Sequence, residues 1–195
     1  MKLSAFWKLA APCLGAALLT PFAHALDVEK LEVRRNATRY VVEFRAHLAA
    51  PPDQVGAVLK DYEHYPQLDS RILESRRDAD DSSQLHTRLR GCVGGLFCRT
   101  MQRVETLEEM PGGLIATAVP GKSDVTYGHT HSQWQAHNGG TELVYRLEIE
   151  PDFWVPPLFG PPLMMRTLRE GTLSLFTNVE RVANGRAHAV KESAD

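Results

Sequence analysis

Between Tyr40 and Leu48 apolar and polar residues alternate, placing Tyr40, Val42, Phe44 and Ala46 on one face, and a similar alternation runs from Leu26 to Val33. A period of two marks a half-buried strand, so both segments are predicted as strands. Pro51-Pro52-Asp53 then opens a short helix, with proline and an acid in its first turn and Val55, Val58 and Leu59 at helical spacing. The aromatic segment Asp61-Tyr62-Glu63-His64-Tyr65-Pro66 breaks or kinks that helix, because the residue before a proline avoids the α conformation. From Ile72 to Ile149 short alternating runs are separated by Asp78-Ala79-Asp80-Asp81, Gly94-Gly95, Pro111-Gly112-Gly113, Pro120-Gly121-Lys122 and Asn138-Gly139-Gly140. Turn-forming clusters at this spacing predict a curved antiparallel meander.

After a proline-rich connection from Pro151, a helical pattern extends from about Pro162 to Ala183, with Asn184-Gly185 as its expected C-terminal cap and a polar, disordered tail over residues 186–195. On a helical wheel Met164, Leu168, Gly171, Leu175, Val179 and Val182 form one narrow stripe, while Arg166, Arg169, Glu170, Glu180 and Arg181 lie away from it. At about 1.5 Å per residue such a rod reaches across a whole sheet. Glycine inside a helix costs about 1 kcal/mol relative to alanine, so Gly171 needs a reason. Either it leaves room for a bound molecule, or it lets a sheet residue approach closely.

The last hairpin can be registered from its turn. With Asn138-Gly139 at the centre and Ala136 beside Thr141, Trp134 lies opposite Leu143, Ser132 opposite Tyr145 and Thr130 opposite Leu147. Trp134, Leu143, Tyr145, Leu147 and Ile149 then share the inner face, and Val144, Arg146, Glu148 and Glu150 the outer one. This register sends His129 and His131 outward, opposite Glu148 and Arg146, so a solvated surface accounts for them better than a shared metal. On the inner face of the same strand Thr126, Gly128, Thr130 and Ser132 are all small. Beneath a helix stripe that itself contains glycine, they predict an incompletely filled interior. The expected cavity is apolar and is lined by Thr130, Ser132, Trp134, Leu143, Tyr145, Leu147, Leu168, Gly171, Leu175 and Val179. Its few polar contacts are the hydroxyls of Thr130, Ser132 and Tyr145 and the Trp134 indole, a composition suited to a lipid-like or aromatic ligand.

Composition adds an address. Lys2 and Lys8 precede an apolar run from Leu9 to Leu19, and the segment closes on Ala23-His24-Ala25, the small-x-small pattern of a cleavable secretory signal. Cleavage after Ala25 leaves 170 of the 195 residues and takes the net charge from -2 to -4, since the two lysines are the segment's only charges. That length suits one domain, over residues 26–185, and a 43% hydrophobic share suits a globular core. No basic stripe is present to attract nucleic acid. Cys13 leaves with the signal, and Cys92 and Cys98 flank Gly94-Gly95 in the stretch CVGGLFC, so their thiols face each other across adjacent strands. In an oxidising compartment a disulfide is the expectation, with two buried free thiols as the alternative. The sequence contains no glycine-rich phosphate loop, serine nucleophile elbow or zinc motif. His64 and Asp61 form a candidate acid-base pair, but a helix-ending turn favours a surface or capping role.

Pro51-Pro52-Asp53-Gln54-Val55, Leu59-Lys60-Asp61-Tyr62-Glu63-His64-Tyr65-Pro66, Trp134, Gly140-Thr141 and Tyr145, in this order of elements, resemble the START-like, polyketide-cyclase and coenzyme-Q-binding superfamily. Cys92 to Arg99, Ser123-Asp124 and Pro151-Asp152-Phe153-Trp154-Val155-Pro156-Pro157 look like an exported bacterial branch of it. The resemblance covers about residues 39–183. It implies an α+β helix-grip fold, a curved antiparallel sheet wrapped around a long C-terminal helix with a ligand cavity between them, and it implies no fixed catalytic set.

The function expected is that of a periplasmic or secreted binder or carrier of a hydrophobic molecule, a quinone or lipid, without catalysis, cofactor or metal. Two alternatives stand beside it. One is a cyclase- or hydrolase-type enzyme using the Tyr145 and Ser132 hydroxyls, although no base is evident on the inner face. The other is an envelope interaction module with a filled core. Phe153-Trp154-Val155-Pro156-Pro157-Leu158-Phe159 either makes transient membrane contact or gates the cavity, or else packs under the helix N-terminus.

Overall fold

Asn138 and Gly139 both adopt positive φ, 46° and 80°, the mirror-image turn geometry that follows the natural twist of two antiparallel strands. In the computed structural model, which describes residues 26–93 and 97–194, this turn joins β7 (Val125–His137) to β8 (Gly140–Pro151). Their pairing is the expected one: Ala136 faces Thr141, Trp134 faces Leu143, Ser132 faces Tyr145 and Thr130 faces Leu147. The signal segment and the Gly94-Gly95 turn lie outside the described residues.

The remaining strands are β1 (Asp27–Asn36), β2 (Arg39–Leu48), β3 (Ile72–Arg77), β4 (Gln84–Val93), β5 (Phe97–Met110) and β6 (Gly113–Ala118). They form one antiparallel sheet in the order β1-β2-β8-β7-β6-β5-β4-β3. The chain thus closes its meander by laying β8 beside β2, while α1 (Pro52–Leu59), a 3-10 turn at Tyr62–His64 and α2 (Tyr65–Leu68) carry it from β2 to the opposite edge. The helix does break within this segment, at Lys60, but not through Pro66. That proline sits in the first turn of α2, where no N–H is needed, and Tyr65 before it is α-helical (φ -54°, ψ -32°), against the expectation. Cys92 pairs directly with Cys98 across β4 and β5, and the two are joined by a disulfide.

Helix α3 (Gly160–Ala194) lies against the sheet and also touches α1 and α2. It departs from the sequence reading at two places. It passes through Asn184-Gly185 instead of ending there, and runs on to Ala194. Arg186 forms an ion pair with Asp61, which ties the turn beyond the glycine to the 3-10 region. Glu180, placed on the outer flank by its helical angle, is buried, and its carboxylate accepts the Ala49 N–H at 3.1 Å. The helix is therefore covered on two flanks, by the sheet and by the segment leading into α1. Among the described residues no helix is long and apolar enough to cross a membrane.

Candidate ligand cavity

The apolar stripe of α3 divides into two halves with different surroundings. Phe176, Val179 and Ala183 are fully buried in a core that includes Phe44, Val55, Val58 and Leu143. There the Phe176 ring stacks on Phe44 at 4.8 Å and meets Tyr145 edge-on at 5.0 Å. Toward the N-terminus, Met164, Leu168, Gly171 and Leu175 instead face a cavity of about 840 Å³. Its other walls include Ile72, Leu89 and Met101 from β3 to β5, and Tyr145, Leu147 and Ile149 from β8. That volume lies within the range of about 300 to 1,000 Å³ typical of small-molecule sites.

Of the residues expected to line such a space, Tyr145, Leu147, Leu168, Gly171 and Leu175 border it, whereas Thr130, Ser132, Trp134, Leu143 and Val179 do not. Leu143 and Val179 are fully buried in the packed half. Trp134 fills the space beneath α1, where its indole lies so close to Gly56 that a Cβ there would be 2.7 Å from Nε1. Ser132 is buried and Thr130 half-buried, paired across to Leu114 and Ala116 of β6. Gly128 serves close packing too, since a Cβ would meet that of Ala118 at 2.9 Å. One face of a curved sheet therefore borders two different spaces. The α1 end is filled, and the cavity opens between the β3–β5 arm and the N-terminal half of α3.

Gly171 has a specific neighbour. The Arg71 guanidinium lies where a Cβ at position 171 would project, and it donates to the Thr167 carbonyl at 3.4 Å. Asp69 holds it there: Arg71 Nε donates to Oδ1 at 2.9 Å and Nη2 to Oδ2. Of the two reasons considered for this glycine, close approach of a neighbouring side chain is the one observed, although the neighbour comes from the loop before β3 and not from a strand. Burial pushes the Asp69 carboxyl up, but the Arg71 hydrogen bonds and charge outweigh it, so its pKa falls below the ordinary carboxylate value. Asp69 is thus a committed ion-pair partner and a poor proton acceptor.

A second cation borders the same space. Arg103 lies with its Nε 2.8 Å from Glu105 Oε2, and Glu105 is only 2% exposed. Opposite Arg103 on β4, the buried Thr87 hydroxyl has no hydrogen-bond partner among the described residues. Burial, only partly offset by Arg103, pushes the Tyr145 phenol up to about 12, so it is a neutral hydroxyl at physiological pH. That hydroxyl has no hydrogen-bond partner among the described residues and borders the cavity. An apolar chamber with two paired arginines, a free phenol and a free threonine hydroxyl can take a largely apolar molecule and orient a polar end.

The other candidates are elsewhere. His64 Nδ1 lies 2.6 Å from Asp61 Oδ1, and Asp61 also pairs with Arg186, away from the cavity. His129 and His131 face Glu148 and Arg146 across β7 and β8, and His129 Nδ1 contacts the Thr117 hydroxyl at 3.2 Å. In the enzyme alternative Tyr145 acts with Ser132, and only Tyr145 reaches the chamber.

Arg71, Thr87 and Arg103 escaped the sequence reading. A usable signal existed for the last two: taking Cys92 opposite Cys98 also sets Leu89 against Met101 and Thr87 against Arg103. Alternation then puts Arg103 and Glu105 on the same inward face as Met101 and Leu107. Cys92, Cys98 and residues 153–159 also line the cavity.

Residues 39–180, more than half of the chain, match the family described as polyketide cyclase/dehydrase and lipid transport. Among curated proteins no sequence matches. Solved structures share the fold at low identity. A START superfamily protein from Mycobacterium smegmatis superposes with a TM-score of 0.58 at 18% identity, covering 74% of this chain and 97% of that one. The Zhui aromatase/cyclase from Streptomyces sp. R1128 gives 0.62 at 16%, covering 76% and 96%. A STAR-related lipid transfer protein from Xanthomonas axonopodis gives 0.55 at 17%, covering 79% and 98%. With its sheet curved about α3 and the family match spanning β2 to α3, the chain belongs to the polyketide cyclase/dehydrase and lipid transport family.

Proposed function

We propose that this chain is an exported, non-catalytic binder or carrier of a hydrophobic molecule of quinone or lipid type, held in the cavity beneath the N-terminal half of α3. The observation that carries the reading is the cavity itself: about 840 Å³, walled mainly by aliphatic and aromatic side chains, with the Arg71 and Arg103 guanidinia in its wall paired to Asp69 and Glu105. Water filling a space of that size against apolar walls is unfavourable, and an apolar occupant that displaces it relieves that cost. Two of the structural relatives support it in part, one being named a lipid transfer protein and the other an aromatase/cyclase. Export is supported by the basic, apolar and small-residue pattern of the first 25 residues, together with the Cys92–Cys98 disulfide, a bond that persists in oxidising compartments.

Uptake tests the proposal. The purified chain, stripped of any bound compound by apolar-phase extraction, is expected to take up a quinone or a fluorescent phospholipid saturably and at one molecule per chain. Failure to take up any quinone, fatty acid or phospholipid would contradict it.

A further inference from the structure

Three large apolar side chains stand exposed together at the cavity rim: Trp154 at 78%, Leu158 at 90% and Phe159 at 50%. They lie in the segment between β8 and α3. The same segment is anchored at its ends, because Val155 packs against Gly160 and the Arg99 guanidinium sits 5.5 Å from the Phe153 ring. Packing under the helix therefore explains Phe153 and Val155, but not the three exposed residues. We propose that Trp154, Leu158 and Phe159 dock the cavity mouth onto a lipid bilayer. The proposal rests on the carrier reading and adds to it the surface from which the ligand is collected or to which it is delivered.

Two observations favour a bilayer over a second copy of the chain. An aromatic side chain presents on the order of 150 to 250 Å² and a leucine no more, so Trp154, Phe159 and Leu158 together offer a few hundred Å², short of the roughly 800 Å² per partner of a stable protein interface. The three side chains also line the cavity while standing exposed to solvent, so seating them in a membrane continues the apolar cavity into the apolar layer without an aqueous gap. Tryptophan suits that depth, since its ring is apolar and its N–H can stay at the headgroup level. Arg90, exposed, lining the same cavity and without an ion-pair partner among the described residues, is available to an anionic headgroup. Arg99 is already engaged by Asp124 at 3.3 Å.

The test is co-sedimentation of the purified chain with vesicles of phosphatidylethanolamine and phosphatidylglycerol, and with phosphatidylcholine alone. Binding is expected to both, stronger to the anionic vesicles, and reduced about tenfold by Trp154→Ala with Leu158→Ser. A second readout needs no variant. Trp134 is 6% exposed, so bromine-labelled lipid should quench emission from Trp154 and spare that from Trp134. Absence of vesicle binding, or equal binding by the double variant without quenching, overturns the proposal. Self-association that the double variant abolishes, in the absence of vesicle binding, also overturns it, in favour of a second copy. If the wild-type chain takes up quinone or lipid from detergent solution yet ignores vesicles, docking fails and the carrier reading stands. Vesicle binding through Trp154 without uptake of any apolar compound sinks the carrier reading alone.

Discussion

Leu168→Trp is expected to lower the affinity for a quinone or lipid by at least tenfold while changing stability by less than about 1 kcal/mol. Leu168 sits on the cavity side of α3, so a larger ring can extend into open space without displacing packed neighbours. It then occupies volume that a ligand needs, and affinity falls because burial of the ligand falls. The companion substitution Val179→Trp lies on the same helix stripe but at a position with no exposed surface. Overpacking there is expected to cost at least about 1 to 3 kcal/mol, through off-rotamer side chains and backbone shifts. Urea unfolding and ligand titration of the two variants side by side check the pair. Equal destabilisation at both positions would mean that the stripe is packed along its whole length.

Phe176→Ala is expected to cause the largest loss of stability, about 3 to 5 kcal/mol. Phe176 is 1% exposed, stacks on Phe44 and meets Tyr145 edge to face. Its removal deletes both ring contacts and leaves a void between α3 and β2. For a domain of typical stability, about 5 to 15 kcal/mol, that is a large share. Because Tyr145 also borders the cavity, the new void adjoins it, and the variant should bind bulkier ligands less selectively. The urea midpoint measures the loss, and a drop worth less than about 1 kcal/mol would show that Phe176 is not the keystone between helix and sheet.

The sequence made some of this legible and not the rest, for definite physical reasons. A two-residue turn with positive φ at both centres admits few residue types, so Asn138-Gly139 revealed its own geometry and with it the cross-strand pairs of β7 and β8 from His137 opposite Gly140 to Tyr127 opposite Glu150. It did not reveal the bulge beyond them, which sets Val125 opposite Pro151 and leaves Thr126 exposed instead of inward. Alternation assigns a side chain to a face, however, and not to a position along it. Trp134 and Tyr145 share the inner face, yet one fills the space under α1 and the other borders the cavity. That difference depends on where α1 and α3 cross the sheet, which strand periodicity does not encode. Helix ends suffer likewise: Asn184-Gly185 is a sound local stop signal, and the Arg186–Asp61 contact beyond it is a long-range feature. Arg71 and Arg103 carry no such local signal, because charge is usually solvated and an arginine beside a cavity looks in sequence like any other. Asp69 and Glu105 supply the counter-charges that let Arg71 and Arg103 border an apolar chamber.

The central claim is that the space beneath the N-terminal half of α3 exists to be filled by an apolar molecule. Native mass spectrometry of the chain purified without detergent from the cells that make it measures this directly. The account predicts a population heavier than the bare chain by one apolar compound, converted to the bare mass on extraction and depleted in Leu168→Trp. A single bare-chain mass, unchanged after incubation with quinones and phospholipids, would contradict it.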